Sequence, residues 1–164
     1  MRNSYTAPAI VKLIEEKVRF GWVGGVSAGS VHALNYASQD AYRAREAFTN
    51  FAAHEQFGGW MHFARGHGYF NAEFIYERSG DVLPFDWEAF QANSDIDVHV
   101  EAMRADTGHT MQWTRRNIDS LESIGQIARA SSTLPKVMPM GFIDGVPYVD
   151  GALGYSGGLL IDAA

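Results

Sequence analysis

The run Phe20-Gly21-Trp22-Val23-Gly24-Gly25-Val26-Ser27-Ala28-Gly29-Ser30-Val31-His32-Ala33-Leu34 decides how the rest of the chain is read. Its first part, Phe20 to Val26, is short, apolar and punctuated by glycine, which suits a buried strand. Its second part, from Ala28 to Ala37, is rich in small residues and predicts a helix. Between them Gly25-Val26-Ser27-Ala28-Gly29 is a G-x-S-x-G pentapeptide, and strand–turn–helix is the setting a nucleophile elbow requires. That turn is strained, so flanking glycines avoid Cβ clashes. It lifts the serine hydroxyl to the strand tip, at the positive end of a helix. The Ala28 N–H is then placed to donate to an oxyanion. The bland alternative is a structural Gly/Ser turn.

Working outward, Pro8 to Val18 predicts a helix with Ile10, Leu13, Ile14 and Val18 on one face and Thr6 as N-cap. Asp40 to Phe57 predicts a longer helix, with Ala44, Phe48, Phe51 and Ala52 at helical spacing and Gly58-Gly59 as its stop. Trp60 to Asp95 is aromatic and irregular. From Asp97 to Ala102 the sequence alternates, with Val98, Val100 and Ala102 on one side of a strand. Thr110 to Trp113 reads as its return. Asp119 to Ser132 predicts a helix, with Leu121, Ile124 and Ala128 inward and a capping box from Asp119 to Glu122. Phe142-Ile143-Asp144-Gly145-Val146 is a hairpin signal. Helices and strands alternate, so the class is α/β, in a single domain over 1–164.

Composition narrows the function. The 164 residues include no cysteine, which excludes disulfide scaffolds, thiolate metal sites and cysteine nucleophiles. The formal net charge of −6, without a basic cluster, argues against a nucleic-acid partner. The uncharged stretch from Phe20 to Gln39 is long enough for a bilayer, at about 20 residues. Its glycines and serines, with His32, Asn35 and Gln39, argue against a span. No targeting segment is visible, so a cytoplasmic location is expected.

A serine nucleophile needs a base. None of the six histidines, His32, His54, His62, His67, His99 and His109, is well placed by spacing. His109 is last in the chain, and the acids just before it (Asp95, Asp97 and Asp106) share its hairpin. Asp150, in Tyr148-Val149-Asp150-Gly151-Ala152, ends an apolar run and precedes two small residues. A carboxylate held there could accept a proton from Ser27, given desolvation and tight geometry. An Asp-Gly turn is the alternative.

Taken in order, Gly25-Val26-Ser27-Ala28-Gly29 and the later Asp150-Gly151-Ala152 resemble the patatin-like phospholipase family. The segment Ala130-Ser131-Ser132-Thr133-Leu134-Pro135 and the hairpin run Asp144 to Gly151 resemble that family too. The resemblance implies a three-layer α/β/α core with a mostly parallel central sheet. It implies a Ser27–Asp150 dyad without histidine, hydrolysing lipid esters through an acyl-enzyme. It implies no cofactor and no metal. Gly25, Ala28 and Gly29 would form the elbow, and Gly151 and Ala152 would complete the aspartate motif. Arg2 stands where the arginine of the family's glycine-rich oxyanion loop would fall, but Asn3 replaces a glycine and the strand before the loop is missing, as in a chain truncated at both ends. The expected partner is a lipid or ester substrate, with a peripheral membrane contact left open and the oligomeric state unspecified. Trp60, Phe63, Tyr69, Phe70, Phe74 and Tyr76 are candidates for an acyl pocket. The rival readings are a His-using serine esterase or thioesterase, and a non-catalytic lipid-binding or interaction domain.

Overall fold

The computed structural model describes residues 2–163, and the side chains of Arg2 and Asp162 lie outside the described residues. Helix α1 (Ala7–Glu15) is shorter than its apolar pattern. Lys17 adopts φ 57°, and the N–H groups of Lys17 and Val18 return to the carbonyls of Ile14 and Leu13, which ends the helix as a Schellman motif. Thr6 occupies the N-cap position without a side-chain cap. Strand β1 (Trp22–Val26) runs into helix α2 (Ala28–Ser38) through Ser27.

The expected long helix from Asp40 is broken. Only α3 (Ala41–Glu46) is helical, followed by turns and a 3-10 turn at Glu55–Phe57. Phe48 stacks on His32 with centroids 3.9 Å apart, and Phe51 stacks on Phe74 at 5.3 Å. The apolar spacing there serves two different neighbours rather than one helical face. The aromatic middle holds two short helices, α4 (Trp60–Ala64) and α5 (Trp87–Ala92), and a π-turn at Glu73–Glu77. Strands β2 (Asp97–Arg104) and β3 (Thr110–Thr114) follow, then helix α6 (Leu121–Ser132), then the hairpin β4 (Gly141–Ile143) and β5 (Val146–Asp150). Asp144 (φ 51°) and Gly145 (φ 76°) make its turn, as the Asp-Gly pair predicts. The cap of α6 is Ser120, not Asp119, with Ser123 rather than Glu122 closing the capping box.

The class is α/β, as read from the sequence. Parallel pairing is confined to β1 and β2, while β2–β3, β2–β5 and β4–β5 are antiparallel. Val98, Val100 and Ala102 are fully buried under α2 and α6, in one core with Ala33, Leu34, Ile127 and Ala128. Leu121, expected inward, is exposed. Helices α2 and α6 cover one face of the sheet. On the opposite face the neighbours are irregular segments: Leu160 approaches Gly24, and the Tyr155 N–H donates to Thr110 Oγ1.

One feature of the sheet positions the site. β1 and β3 both pair with residues 99–101 of β2, so they lie on opposite edges of it. β3 and β5 both pair with Ala102 and Met103, so they too lie on opposite edges. β1 and β5 therefore share one edge and meet end to end: Val26 is opposite Glu101, and Asp150 is opposite Ala102.

Candidate active site

Because Asp150 takes the next place along β2, one step of about 3.3 Å beyond Val26's partner, the chain after Val26 must leave the sheet. It does so at Ser27, with φ 57° and ψ −129°. A non-glycine residue with positive φ is uncommon, and such strain is stored at functional sites. Gly25 makes the turn sterically feasible, since a Cβ there would lie 2.1 Å from the carbonyl oxygen of Gly29. Gly29 is different: a Cβ added to it meets nothing within 4 Å. The expected steric role of flanking glycines holds on the strand side alone.

Ser27 is held through its backbone. Its N–H donates to Ser131 Oγ at 2.9 Å, and its carbonyl accepts from Ser30 Oγ at 2.6 Å. Its half-buried hydroxyl has no hydrogen-bond partner among the described residues. The N–H groups of Ala28 and Gly29, in the first turn of α2, also have no acceptor there, as expected of a helix start.

Asp150 is buried at 3% exposure. Its N–H donates to the Thr133 carbonyl at 2.8 Å, and its Oδ1 accepts from the Ala152 N–H at 2.9 Å. Its other carboxylate oxygen has no protein donor among the described residues. Gly151 is required where it stands: a Cβ would meet the Glu101 carbonyl oxygen at 2.2 Å and Val26 Cγ1 at 2.9 Å. That close approach locks the aspartate motif against the end of β1.

The end of α6 ties the two halves together. Fully buried Ser131 accepts from Ser27 N–H and donates to the Glu101 carbonyl at 2.7 Å. Two residues on, Thr133 holds Asp150. The sequence marks this segment only as a helix end ahead of the aspartate, and the bridging role of Ser131 was not legible there. Paired hydroxyls at the end of an otherwise apolar helix face are the signal that could have found it.

A cavity of about 750 Å³ opens beside the elbow, within the range of small-molecule sites. Ala28, Val31 and Leu34 line it along α2, and Phe48, Phe51, Phe57 and Phe85 supply aromatic walls. Of the six aromatics expected to form a pocket, only Tyr76 lines it. Trp60 and Phe63 are exposed, and Trp60 packs edge-on against Tyr69. Burial pushes the Tyr76 phenol up to about 12, and the Asp150 carboxylate adds to the effect.

The histidines are engaged elsewhere. His32 is buried, stacked on Phe48 and bonded to the Asn3 carbonyl at 3.1 Å, and burial lowers its pKa. His99 pairs with Asp97 at 3.2 Å, His62 Nδ1 meets the Gly68 carbonyl, and His109 is exposed. None is hydrogen-bonded to Ser27 among the described residues. Among those residues no cluster of His, Asp and Glu could hold a metal ion, and no helix is long and apolar enough to cross a membrane. The expected oxyanion role of Arg2 falls on a side chain outside the described residues.

No curated protein matches the chain. A family model described as patatin-like phospholipase matches residues 1–161, nearly the whole length, and takes in both the elbow and the aspartate motif. The chain therefore belongs to the patatin-like phospholipase family, whose members are lipid acyl hydrolases.

Proposed function

We propose that the chain hydrolyses carboxylic esters of lipids through an acyl-enzyme, with Ser27 as nucleophile and Asp150 as its base. The observation that carries this reading is the head-on meeting of β1 and β5 on one edge of β2, with Ser27 and Asp150 at the two ends. Ser27 Oγ attacks the ester carbonyl while Asp150 takes its proton. The tetrahedral oxyanion accepts hydrogen bonds from the unpartnered Ala28 and Gly29 N–H groups. Asp150 returns the proton to the leaving alcohol, then deprotonates the water that releases the acyl group. The acyl chain lies in the cavity along α2, between Val31, Leu34 and the phenylalanine walls.

The test is a fluorophosphonate probe applied to the chain beside Ser27→Ala and Asp150→Asn. Labelling of the parent that is lost in both variants supports the dyad. Labelling that survives Asp150→Asn but not His109→Ala would hand the base to a histidine. An unlabelled parent that still binds lipid favours a binding domain.

A further inference from the structure

Two guanidinium groups line the cavity, Arg129 and Arg43, and they are in opposite states. Arg129 is paired with the carboxylate of Glu77. Arg43, on α3, has no ion pair among the described residues. Its Nη1 donates to the Asn35 side-chain carbonyl, and its plane sits 5.1 Å from the Phe85 ring centroid. Asp40 accepts the Arg43 backbone N–H at 2.8 Å as the helix cap and makes no ion pair with the side chain. Arg43 Nε is buried with no partner, and so is Nδ2 of Asn35, a residue with no exposed surface. Neither donor has an acceptor among the described residues. Burying a cation without a counter-charge is costly, and an amide carbonyl and an aromatic face compensate only part of it. Consistent with this, burial lowers the Arg43 pKa to about 10.

The position of Arg43 in the cavity sets the shape of its ligand. Ala28, Val31 and Leu34 form one stripe along α2, about 9 Å long from the elbow at the rise of a helix. Arg43 stands at the far end, held from behind by the fully buried Asn35. We propose that Arg43, held in place by Asn35, forms an anion subsite at the end of the cavity, taking the carboxylate or phosphate of an amphiphile whose apolar stem lies along α2. An oxyanion in the cavity supplies the counter-charge that the Arg43 guanidinium lacks, and the stem lies against Val31 and Leu34. The site concerns binding and does not depend on catalysis at Ser27.

The test uses three probes with one stem: octanoate, octyl phosphate and octan-1-ol, titrated into the full chain by calorimetry. None is a carboxylic ester, so none is consumed. At least one anion is expected to bind tenfold or more tightly than the alcohol, and whichever leads assigns the head group as carboxylate or phosphate. Arg43→Gln should abolish the preference, Arg43→Lys should keep part of it, and Ser27→Ala should leave it intact. Equal binding of all three probes overturns the inference, as does an anion preference that survives Arg43→Gln. The parent ranking decides alone if Arg43→Gln does not fold.

Discussion

Replacing Ser131 with alanine removes one oxygen and leaves two groups without a partner. The Ser27 N–H loses its acceptor at 2.9 Å, and the Glu101 carbonyl loses its donor at 2.7 Å, in a place with no exposed surface. An orphaned buried N–H costs about 1–3 kcal/mol, and a carbonyl with a second lone pair less, so the expected loss is about 2–4 kcal/mol. A domain with stability of about 5–15 kcal/mol survives that and remains measurable. The elbow should feel more than the global loss, because the Ser131 contact is one of the backbone bonds that hold Ser27 at φ 57°. Turnover of a soluble p-nitrophenyl ester should fall at least tenfold with little change in KM. Urea unfolding and steady-state kinetics on the same preparations give both numbers. Ser30→Ala is the control. Its hydroxyl also bonds Ser27, but the Ser27 carbonyl keeps the Ser30 N–H at 3.0 Å, so about 1 kcal/mol is expected. A Ser131→Ala chain as stable and as active as the parent, or no less stable than Ser30→Ala, would refute the bridging role.

The two elbow glycines should respond differently. Gly25→Ala puts a Cβ 2.1 Å from a backbone oxygen and should prevent folding or cost several kcal/mol, whereas Gly29→Ala enters open space in a helix and should be neutral or gain about 0.5–1 kcal/mol, read by thermal unfolding. His32 gives a pH signature. Burial lowers its folded pKa, so the unfolded chain binds the extra proton first, and stability should fall as pH drops below about 6.5. Urea midpoints at pH 7.5 and 5.5 should therefore differ less in His32→Asn than in the parent, and an unchanged difference would place the titration elsewhere. From Phe57 to Phe70 the chain carries no acid, and Trp60, Met61 and Phe63 are exposed beside Arg65. Trp60→Ser with Met61→Ser should weaken co-sedimentation with phosphatidylglycerol vesicles at least threefold while leaving soluble-ester turnover unchanged, and equal sedimentation would remove this face from any lipid contact.

The elbow, the β2–β3 pair, the last hairpin and the aspartate motif were legible because each is local: a few adjacent residues with fixed backbone demands. The break after Glu46 was not, because Phe48 and Phe51 keep helical spacing while packing against His32 and Phe74, far from each other in sequence. The cap of α6 shifted by one residue because Asp119 and Ser120 are both good caps, and Ser120 is the one whose hydroxyl reaches the Ser123 N–H at 3.1 Å. The pocket aromatics were misassigned for a similar reason. A run of aromatics says that burial is needed, not which of several clusters faces the cavity. The unpaired Arg43 had no sequence signal, since its lack of a partner is a property of the fold.

The shared edge of β2 makes the site digital. In a sheet, sliding a strand by one position turns every side chain to the opposite face. If β5 paired one residue out of step, the carboxylate of Asp150 would point through the sheet, away from the elbow. A slip of two would restore its face and move it about 6.6 Å along the edge, out of reach of a hydroxyl. If Ser27 and Asp150 act as a dyad, near-native pairings are expected to be silent, with no gradient of partial activity along which the hairpin could drift. Recovered ester hydrolysis during refolding would report the arrival of one register and nothing short of it.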